Sequence, residues 1–413
     1  MAAALAVGET RISGLLEGDD VLRTAAALRS MGADIARRHD GVWHVHGLGI
    51  GGLHEPSDVL DLGNAGTGVR LLMGVTACNP ITVHFTGDES LRRRPMGRIA
   101  FPLEEMGASV VARDGDRLPL TVIGSDDLVP IDYTTPVASA QIKSAIIFAA
   151  LGAPGETIIT EAQPTRDHSE RLLRQFGANI RSETSEAGQR ITVVGQPELK
   201  ATRIRVPGDP SSAAFAIVAA LVTPNSEIRL QGVGINPRRA ALFDCLIEMG
   251  ADLTMTPIES SNDGEPLADI VARSSALTGV AVPPERAPDM IDEFPILAIA
   301  AARALGTTRF DGVRELRFKE SDRLAGIVQG LSACGVNVEE RDDGLSVHGT
   351  ESIAGGATID AKHDHRIAMA FLIAGLSASE PVHVDGVDTI NTSFPRFAEI
   401  MRDLGADLQD ANR

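Results

Sequence analysis

The sequence is poor in several residue types, and each shortage excludes a class of protein. Only 3% of its 413 residues are aromatic, with a single Trp and a single Tyr, so the core must be built from aliphatic side chains. The three cysteines, Cys78, Cys245 and Cys334, are too far apart for a zinc-binding motif or a disulfide framework. We therefore expect free thiols in a reducing compartment, with no metal and no cofactor.

The chain also lacks long apolar runs and an excess of positive charge. No uninterrupted apolar stretch approaches the roughly 18 residues that a membrane span needs, and the apolar start Met1–Val7 is too short and lacks the basic residues of a signal peptide. The net charge of −18 disfavours nucleic acid and anionic membranes as partners. Of the 38 basic residues 34 are Arg, a side chain suited to binding carboxylates and phosphates. We expect a cytoplasmic protein that binds small anionic molecules.

An internal repeat organises the chain. A short phrase recurs six times, as MGADI (31–35), MGASV (106–110), FGANI (176–180), MGADL (249–253), CGVNV (334–338) and LGADL (404–408). Each phrase follows an amphipathic stretch, so its Gly is predicted to end a helix and to precede a strand. Six helix–strand units in 413 residues predict an α/β protein with two domains of three units, 1–205 and 206–413.

The first unit is shorter than the others at its start. Sixteen residues, Ser139–Pro154, precede the Gly155-Glu156-Thr157 turn of the third copy, whereas seven precede the equivalent Gly8-Glu9-Thr10. We therefore interpret Met1–Val7 as the end of a helix, in a first unit that is truncated at its N-terminus.

Motifs in the first half lie at predicted helix starts, where free backbone N–H groups bind anions. The stretch 61–70 (DLGNAGTGVR) combines three glycines with Arg70, and 90–98 (SLRRRPMGR) is the densest basic cluster. Further on, 138–143 (ASAQIK) and 165–168 (TRDH) offer hydroxyl, amide and basic groups. Each has a purely structural alternative as a tight turn or a helix cap.

The second-half motifs are mixed acidic and basic. They are 290–294 (MIDEF), 316–323 (LRFKESDR) and 364–366 (DHR), and each alone is as typical of a surface salt-bridge network. All these motifs occupy the same end of their repeat, so we expect them to face one cleft between the domains. Several Arg side chains there would hold phosphate and carboxylate groups, while a Glu and a Lys move protons.

The ordered set of motifs resembles the 5-enolpyruvylshikimate-3-phosphate (EPSP) synthase family over essentially the whole chain, and its second sequence class in particular. The motifs are LDLGNAGTGVRLL, RRRPMGR, GDRLP, SAQIKSA, TRDHSE, PGDPSSAAF, MIDEFPILA, LRFKESDRL and DHRIAM, in this order. The resemblance implies two inside-out α/β domains, each of three βαβαββ units. It also implies transfer of the enolpyruvyl group of phosphoenolpyruvate to the 5-hydroxyl of shikimate 3-phosphate. Phosphate is then released through a tetrahedral intermediate. We expect the protein to act as a monomer.

The resemblance also assigns roles to individual residues. Asp292 would take or orient the hydroxyl proton, and Glu320 would protonate the methylene carbon. The residues implied for shikimate 3-phosphate are Ser139, Ala140, Gln141, Arg166, Asp292 and Lys319. Those implied for phosphoenolpyruvate are Asn64, Gly66, Arg94, Gln141, Arg323 and Arg366. Family members with Gly at the position of Gly66 are usually inhibited by glyphosate, so we expect inhibition here.

One family motif is absent from this sequence. Members normally carry a Pro-Gly-Asp-Lys-Ser-x-Ser-His-Arg loop before the Gly-Glu-Thr turn, with a Lys that touches both substrates. We expect a chain without that Lys to lose roughly 10²–10³ in rate. One alternative is therefore an impaired member that binds shikimate 3-phosphate without turnover. A second alternative is the related UDP-N-acetylglucosamine enolpyruvyl transferase, which the order of the motifs and the lack of a Cys in 90–98 disfavour.

Overall fold

The computed structural model describes residues 1–186, 188–258 and 264–410, and it is a mixture of helices and strands. The α-helices are α1 Asp19–Ser30, α2 Gly66–Ala77, α3 Glu89–Arg93, α4 Gly97–Glu105, α5 Ala140–Ala150, α6 His168–Gln175, α7 Pro210–Val222, α8 Ala241–Glu248, α9 Phe294–Ala302, α10 Arg323–Ala333, α11 His365–Gly375 and α12 Phe397–Asp403. Short 3₁₀ helices span Ala2–Leu5, Pro284–Asp289, Arg314–Phe318 and Val387–Thr392. None of these helices is long and apolar enough to cross a membrane.

The strands alternate with these helices along the chain. They are β1 Val7–Ser13, β2 Asp34–Arg37, β3 Trp43–Leu48, β4 Leu60–Asp61, β5 Thr82–Thr86, β6 Ser109–Arg113, β7 Arg117–Ile123, β8 Asp132–Thr134, β9 Glu156–Glu161, β10 Ile180–Ser185, β11 Gly188–Val194, β12 Arg203–Arg205, β13 Glu227–Gly234, β14 Asp252–Ile258, β15 Leu267–Arg273, β16 Ala281–Val282, β17 Thr307–Asp311, β18 Asn337–Arg341, β19 Gly344–His348, β20 Thr358–Asp360 and β21 His383–Asp385. The predicted α/β class is confirmed.

Four of the sheets share one strand order. The orders β12-β1-β3-β2, β4-β5-β7-β6, β8-β9-β11-β10 and β16-β17-β19-β18 each place a parallel pair beside an antiparallel pair. The first of these sheets takes its parallel strand, β12, from far along the chain, with Arg11 opposite Arg203. The other two sheets each contain part of this order: β13-β15-β14 has the antiparallel strands, and β20-β21 has the parallel pair. The repeat predicted from the sequence is thus a repeat of sheet topology.

The six recurring glycines end six helices in the same way. All have left-handed backbone, with φ between 82° and 108°, which a residue without Cβ adopts at little cost. The N–H of the following residue donates to the carbonyl five positions back, at 2.9–3.1 Å in all six copies, as Ala33 does to Leu28. This is the Schellman arrangement, and it satisfies carbonyls that a helix end leaves free.

The start of the chain occupies a helix-end position, although as a 3₁₀ turn and not an α-helix. Residues Ala2–Leu5 are buried, and the strand β1 follows them. A Cβ on Gly47 would lie 2.2 Å from the carbonyl oxygen of Ala3 and 2.3 Å from that of Ala6. In the third copy a Cβ on Gly195 would meet two helix-end carbonyls, those of Ala150 and Ala153, in the same way. The packing of Ala2–Ala6 thus resembles that of a helix end in another copy, whereas Val7, the last residue of the predicted segment, already belongs to β1.

The described residues form two compact units. The first comprises Met1–Val206 with Gly264 and Glu265, and the second comprises 207–258 and 266–410. Within the first, α2 and α5 pack so closely that a Cβ on Gly74 would lie 2.2 Å from the Ala145 carbonyl oxygen. In the second, every residue of α9 is buried. These apolar helices hold their N-terminal ends, which carry the candidate residues, in fixed places.

Candidate active site

In the first unit, the side chain of Asn64 is held between a carboxylate and a guanidinium group. Its side-chain nitrogen donates to Asp88 Oδ2 at 2.7 Å, so its oxygen accepts from Arg94 Nη2 at 2.8 Å. Asp88 is the N-cap of α3 and also accepts from the Leu91 amide. Burial alone would raise the pKa of Asp88, but these hydrogen bonds outweigh it and lower the pKa, so the carboxylate stays ionised. Asp88 is not among the residues predicted from the sequence; the signal that could have pointed to it is its N-cap position before α3.

Two arginines converge on the first residue of α2, Gly66. A Cβ at this position would lie 2.9 Å from Arg94 Nη1 and 3.3 Å from Arg70 Nη1. Burial lowers the pKa of the Arg70 guanidinium, and the charges of Arg94 and Arg98 lower it further. Like charges beside a helix N-terminus, itself partly positive, are stabilised by a bound anion. Gly66 leaves room for such an anion next to the backbone.

Gln141 links this group to the start of α5. Its side-chain oxygen accepts from Arg70 Nη1 at 3.0 Å, and its nitrogen donates to Thr67 Oγ1 at 2.8 Å. Ser139 is the N-cap of α5, yet its hydroxyl makes no capping hydrogen bond, and Ala140 is the first helical residue. Ser139 therefore occupies the N-cap position of the structural alternative, but its hydroxyl does not satisfy the helix end.

Arg166 lies just before Asp167, the N-cap of α6. Its neighbour Thr165 is held by two buried residues. Lys143 Nζ lies 3.4 Å from the Thr165 carbonyl oxygen, and Thr165 Oγ1 donates to Glu161. Lys143 of the SAQIK motif thus points into the protein.

In the second unit, the fully buried Arg323 is the centre of a charged cluster. Its Nε donates to Asp364 Oδ2 at 2.8 Å, Nη1 to Asp292 Oδ1 at 3.1 Å, and Nη2 to Glu320 Oε2 at 2.5 Å. Burial alone would raise the pKa of Asp364, but the charge and hydrogen bond of Arg323 outweigh it and lower the pKa. Arg323 therefore holds the two predicted catalytic carboxylates in a fixed relation.

Lys319 and Arg366 complete this cluster. Lys319 Nζ lies 3.7 Å from Asp292 Oδ1 and 3.0 Å from Glu315 Oε1. Arg366 Nη1 donates to the Asp292 carbonyl oxygen at 3.0 Å and to Glu293 Oε1 at 3.3 Å. The structure thus brings together all five candidate residues of the second unit: Asp292, Lys319, Glu320, Arg323 and Arg366. Asp364 was named only as part of the 364–366 motif and was given no role, although it directly precedes His365 and the predicted Arg366.

Comparisons with known proteins identify the family of the chain. The model of the EPSP synthase (3-phosphoshikimate 1-carboxyvinyltransferase) family matches residues 1–401. The 3-phosphoshikimate 1-carboxyvinyltransferase of Paramagnetospirillum magneticum is 58% identical over 415 residues, covering 100% of this chain and 93% of the relative. That of Cereibacter sphaeroides is 55% identical over 405 residues, covering 98% and 91%.

Solved structures give the same result. The EPSP synthase of Acinetobacter baumannii superposes with a TM-score of 0.92 at 43% identity, covering 98% of this chain and 92% of that one. These matches favour neither the impaired-member alternative nor the UDP-N-acetylglucosamine enolpyruvyl transferase alternative. The chain belongs to the EPSP synthase family, the 3-phosphoshikimate 1-carboxyvinyltransferases.

Proposed function

We propose that this protein transfers the enolpyruvyl group of phosphoenolpyruvate to the 5-hydroxyl of shikimate 3-phosphate and releases phosphate. The observation that carries the proposal is the buried Arg323, whose separate N–H groups hold Asp292 and Glu320. A carbon–oxygen transfer of this kind needs one group to accept a proton from the hydroxyl and another to deliver a proton to carbon. Two carboxylates fixed around one cation suit that division of roles.

The substrates are recognised through their anionic groups. For phosphoenolpyruvate we propose Asn64, Gly66, Arg94, Gln141, Arg323 and Arg366. For shikimate 3-phosphate we propose Ser139, Ala140, Gln141, Arg166, Asp292 and Lys319. Ala140 has no side-chain hydroxyl, so its contribution is through the backbone N–H of the first turn of α5. The guanidinium groups at Gly66 support the assignment, because they converge on a helix N-terminus.

The reaction proceeds by addition and then elimination. Glu320 gives a proton to the methylene carbon of phosphoenolpyruvate, and the 5-hydroxyl oxygen bonds to the adjacent carbon while its proton passes to Asp292. In the resulting tetrahedral intermediate, the bond from that carbon to the phosphate oxygen breaks and the leaving phosphate takes up the proton held by Asp292. The new methyl group gives a proton back to the Glu320 carboxylate, which restores the double bond. Glu320 is half-exposed, with 51% of its side chain accessible, so it can exchange its proton with solvent between steps.

The test is a steady-state assay with both substrates. We expect phosphate release that depends on phosphoenolpyruvate and shikimate 3-phosphate together, with one enolpyruvyl ether formed for each phosphate. UDP-N-acetylglucosamine in place of shikimate 3-phosphate should give no product, and unphosphorylated shikimate should react poorly because Arg166 has no phosphate to bind. Turnover with UDP-N-acetylglucosamine alone would refute the proposal. Action as a monomer in the cytoplasm stays a prediction.

A further inference from the structure

The start of helix α7, within the PGDPSSAAF motif, contains a buried serine to which the family resemblance assigns no role. Asp209 does cap this helix, since its carboxylate accepts from the Ser211 and Ser212 amides. The hydroxyls of the two serines differ, however. Ser212 Oγ turns back to Asp209 at 2.8 Å, whereas Ser211 is only 2% exposed and its Oγ donates to Glu293 Oε1. Ser211 therefore reaches from α7 to the start of α9.

Glu293 is an unusual residue to find there. It is the N-cap of α9 and lies next to the catalytic candidate Asp292, yet its side chain is only 2% exposed. Its Oε1 accepts from both Ser211 and Arg366, while its Oε2 has no hydrogen-bond partner among the described residues. Burying a carboxylate is costly unless it is paired, so the two contacts on Oε1 must hold it. A position that needed only a helix cap has no use for this charge.

The direction of the Ser211 hydroxyl is itself set by a third residue. Arg239 Nη2 donates to Ser211 Oγ at 2.6 Å and to Asp209 Oδ1 at 3.3 Å. Because Arg239 occupies a lone pair of the hydroxyl oxygen, the hydroxyl hydrogen is left for Glu293. The contacts form a series of hydrogen bonds: Arg239 donates to Ser211, Ser211 donates to Glu293, and Glu293 accepts from Arg366.

This series of hydrogen bonds fixes one edge of the Arg366 guanidinium. Nη1 has two hydrogens, and the Asp292 carbonyl and Glu293 accept from it. Nε and Nη2 have no hydrogen bond within the ranges that the structure describes. Burial alone would lower the pKa of Arg366, but the carboxylates led by Glu293 outweigh it and raise the pKa, so the charge is retained. An arginine held by one nitrogen presents the rest of its fork in a single direction.

We propose that Glu293, held by Ser211, is a positioning residue that aims the free edge of Arg366 at phosphoenolpyruvate. This rests on the proposed function, in which Arg366 binds that substrate. Glu293 acts through Arg366 and has no contact with the reacting atoms. The residues of the PGDPSS motif thus serve recognition of one substrate as well as the start of a helix.

The experiment compares two neighbouring serines. Ser211→Ala removes the hydroxyl that holds Glu293, and Ser212→Ala is the matched control, since it removes the adjacent hydroxyl from the same helix start. We expect Ser211→Ala to raise the KM for phosphoenolpyruvate three- to tenfold, with the KM for shikimate 3-phosphate changed less than twofold. Ser212→Ala should leave both constants within twofold of the parent. Equal increases of both KM values in Ser211→Ala, or the same phosphoenolpyruvate effect in both variants, would overturn the proposal.

Two further measurements separate the inference from the proposed function. Glu293→Gln keeps an oxygen that accepts from Ser211 and Arg366, so its KM for phosphoenolpyruvate should rise less than that of Glu293→Ala. A crystal structure of Ser211→Ala needs no turnover at all: we expect Arg366 Nη1 to leave the Asp292 carbonyl. An unmoved Arg366 would refute the inference even in an active enzyme, whereas a parent protein without turnover would refute only the proposed function.

Discussion

A buried lysine in the first unit allows a sharp test of how much a buried ion-pair cluster contributes to stability. Lys143 is 1% exposed in its side chain, and its Nζ lies 2.9 Å from Glu161 Oε2 and 2.9 Å from Glu170 Oε1. The two carboxylate side chains are 0% and 2% exposed. Lys143→Met keeps an apolar stem of similar volume but leaves both carboxylates buried without a counter-ion.

The expected cost follows from that geometry. Removing one partner of a buried ion pair destabilises a protein by about 3–5 kcal/mol, because the remaining charge is unpaired. A matched control is Ser144→Ala, which breaks the 2.7 Å hydrogen bond between Ser144 and Ser169 across the same two helices, α5 and α6. A neutral hydrogen bond is worth about 1 kcal/mol. Lys143→Met combined with Gln at both glutamates should recover most of the lost stability, since no buried charge remains.

The single tryptophan makes the measurement specific to this unit. Trp43 lies in β3 of the first unit and is 4% exposed, so its fluorescence reports unfolding of the unit that contains Lys143. With a urea slope of about 2–3 kcal/mol/M, the Lys143→Met midpoint should fall by roughly 1–2.5 M. A loss no larger than that of Ser144→Ala would refute the account of a buried, charged cluster.

The pH dependence of this variant gives a second check. Burial raises the pKa of Glu170, in spite of the neighbouring Lys143. A carboxyl with a higher pKa in the folded state than in the unfolded state favours folding below its ordinary pKa. That contribution is lost as the pH rises through the folded pKa. Without Lys143 the shift should be larger, so the stability deficit of Lys143→Met should be smaller at pH 5 than at pH 8. An equal deficit at both pH values would show that the carboxylates are not its cause.

The sequence predicts the parts of the fold that depend on neighbouring residues. A left-handed glycine after a helix is a local signal, so all six helix ends could be located from the recurring phrase. The apolar helices could be predicted for the same reason. The pairing of Arg11 with Arg203 could not, because it joins residues from opposite ends of the first unit. Nor could the 3₁₀ form of Ala2–Leu5, since a short apolar run is compatible with either helix type.

The candidate residues likewise divide into those with a local sequence signal and those that depend on long-range contacts. Arg323 and Arg366 could be proposed from local motifs and their family resemblance, since the chemistry is visible in the residue types. Their partners were less accessible to sequence reasoning. Ser211 and Glu293 are 82 positions apart, so only the folded chain shows that they touch. Contacts of this kind are decided by packing, for which a single sequence carries no periodic signal.

Two further predictions concern the proposed site itself. Gly66→Ala places a Cβ 2.9 Å from Arg94 Nη1. The guanidinium must move, and the KM for phosphoenolpyruvate should rise by roughly 10- to 100-fold, with weaker inhibition by glyphosate; an unchanged KM in steady-state assays would contradict this. Glu320→Gln keeps an acceptor for Arg323 but cannot deliver a proton to carbon. Its kcat should fall by about 10²–10⁴, while its melting temperature stays within about 2 °C of the parent; a kcat above a tenth of the parent value would contradict the role of Glu320.

The most direct test of the proposed reaction is the turnover of both substrates in D₂O, followed by NMR of the product. Addition and elimination pass through a methyl group that carries one solvent-derived hydrogen, so we expect deuterium in the vinyl methylene of the enolpyruvyl ether. Phosphate release should depend on shikimate 3-phosphate. A product without deuterium, or phosphate released from phosphoenolpyruvate alone, would contradict transfer through a tetrahedral intermediate.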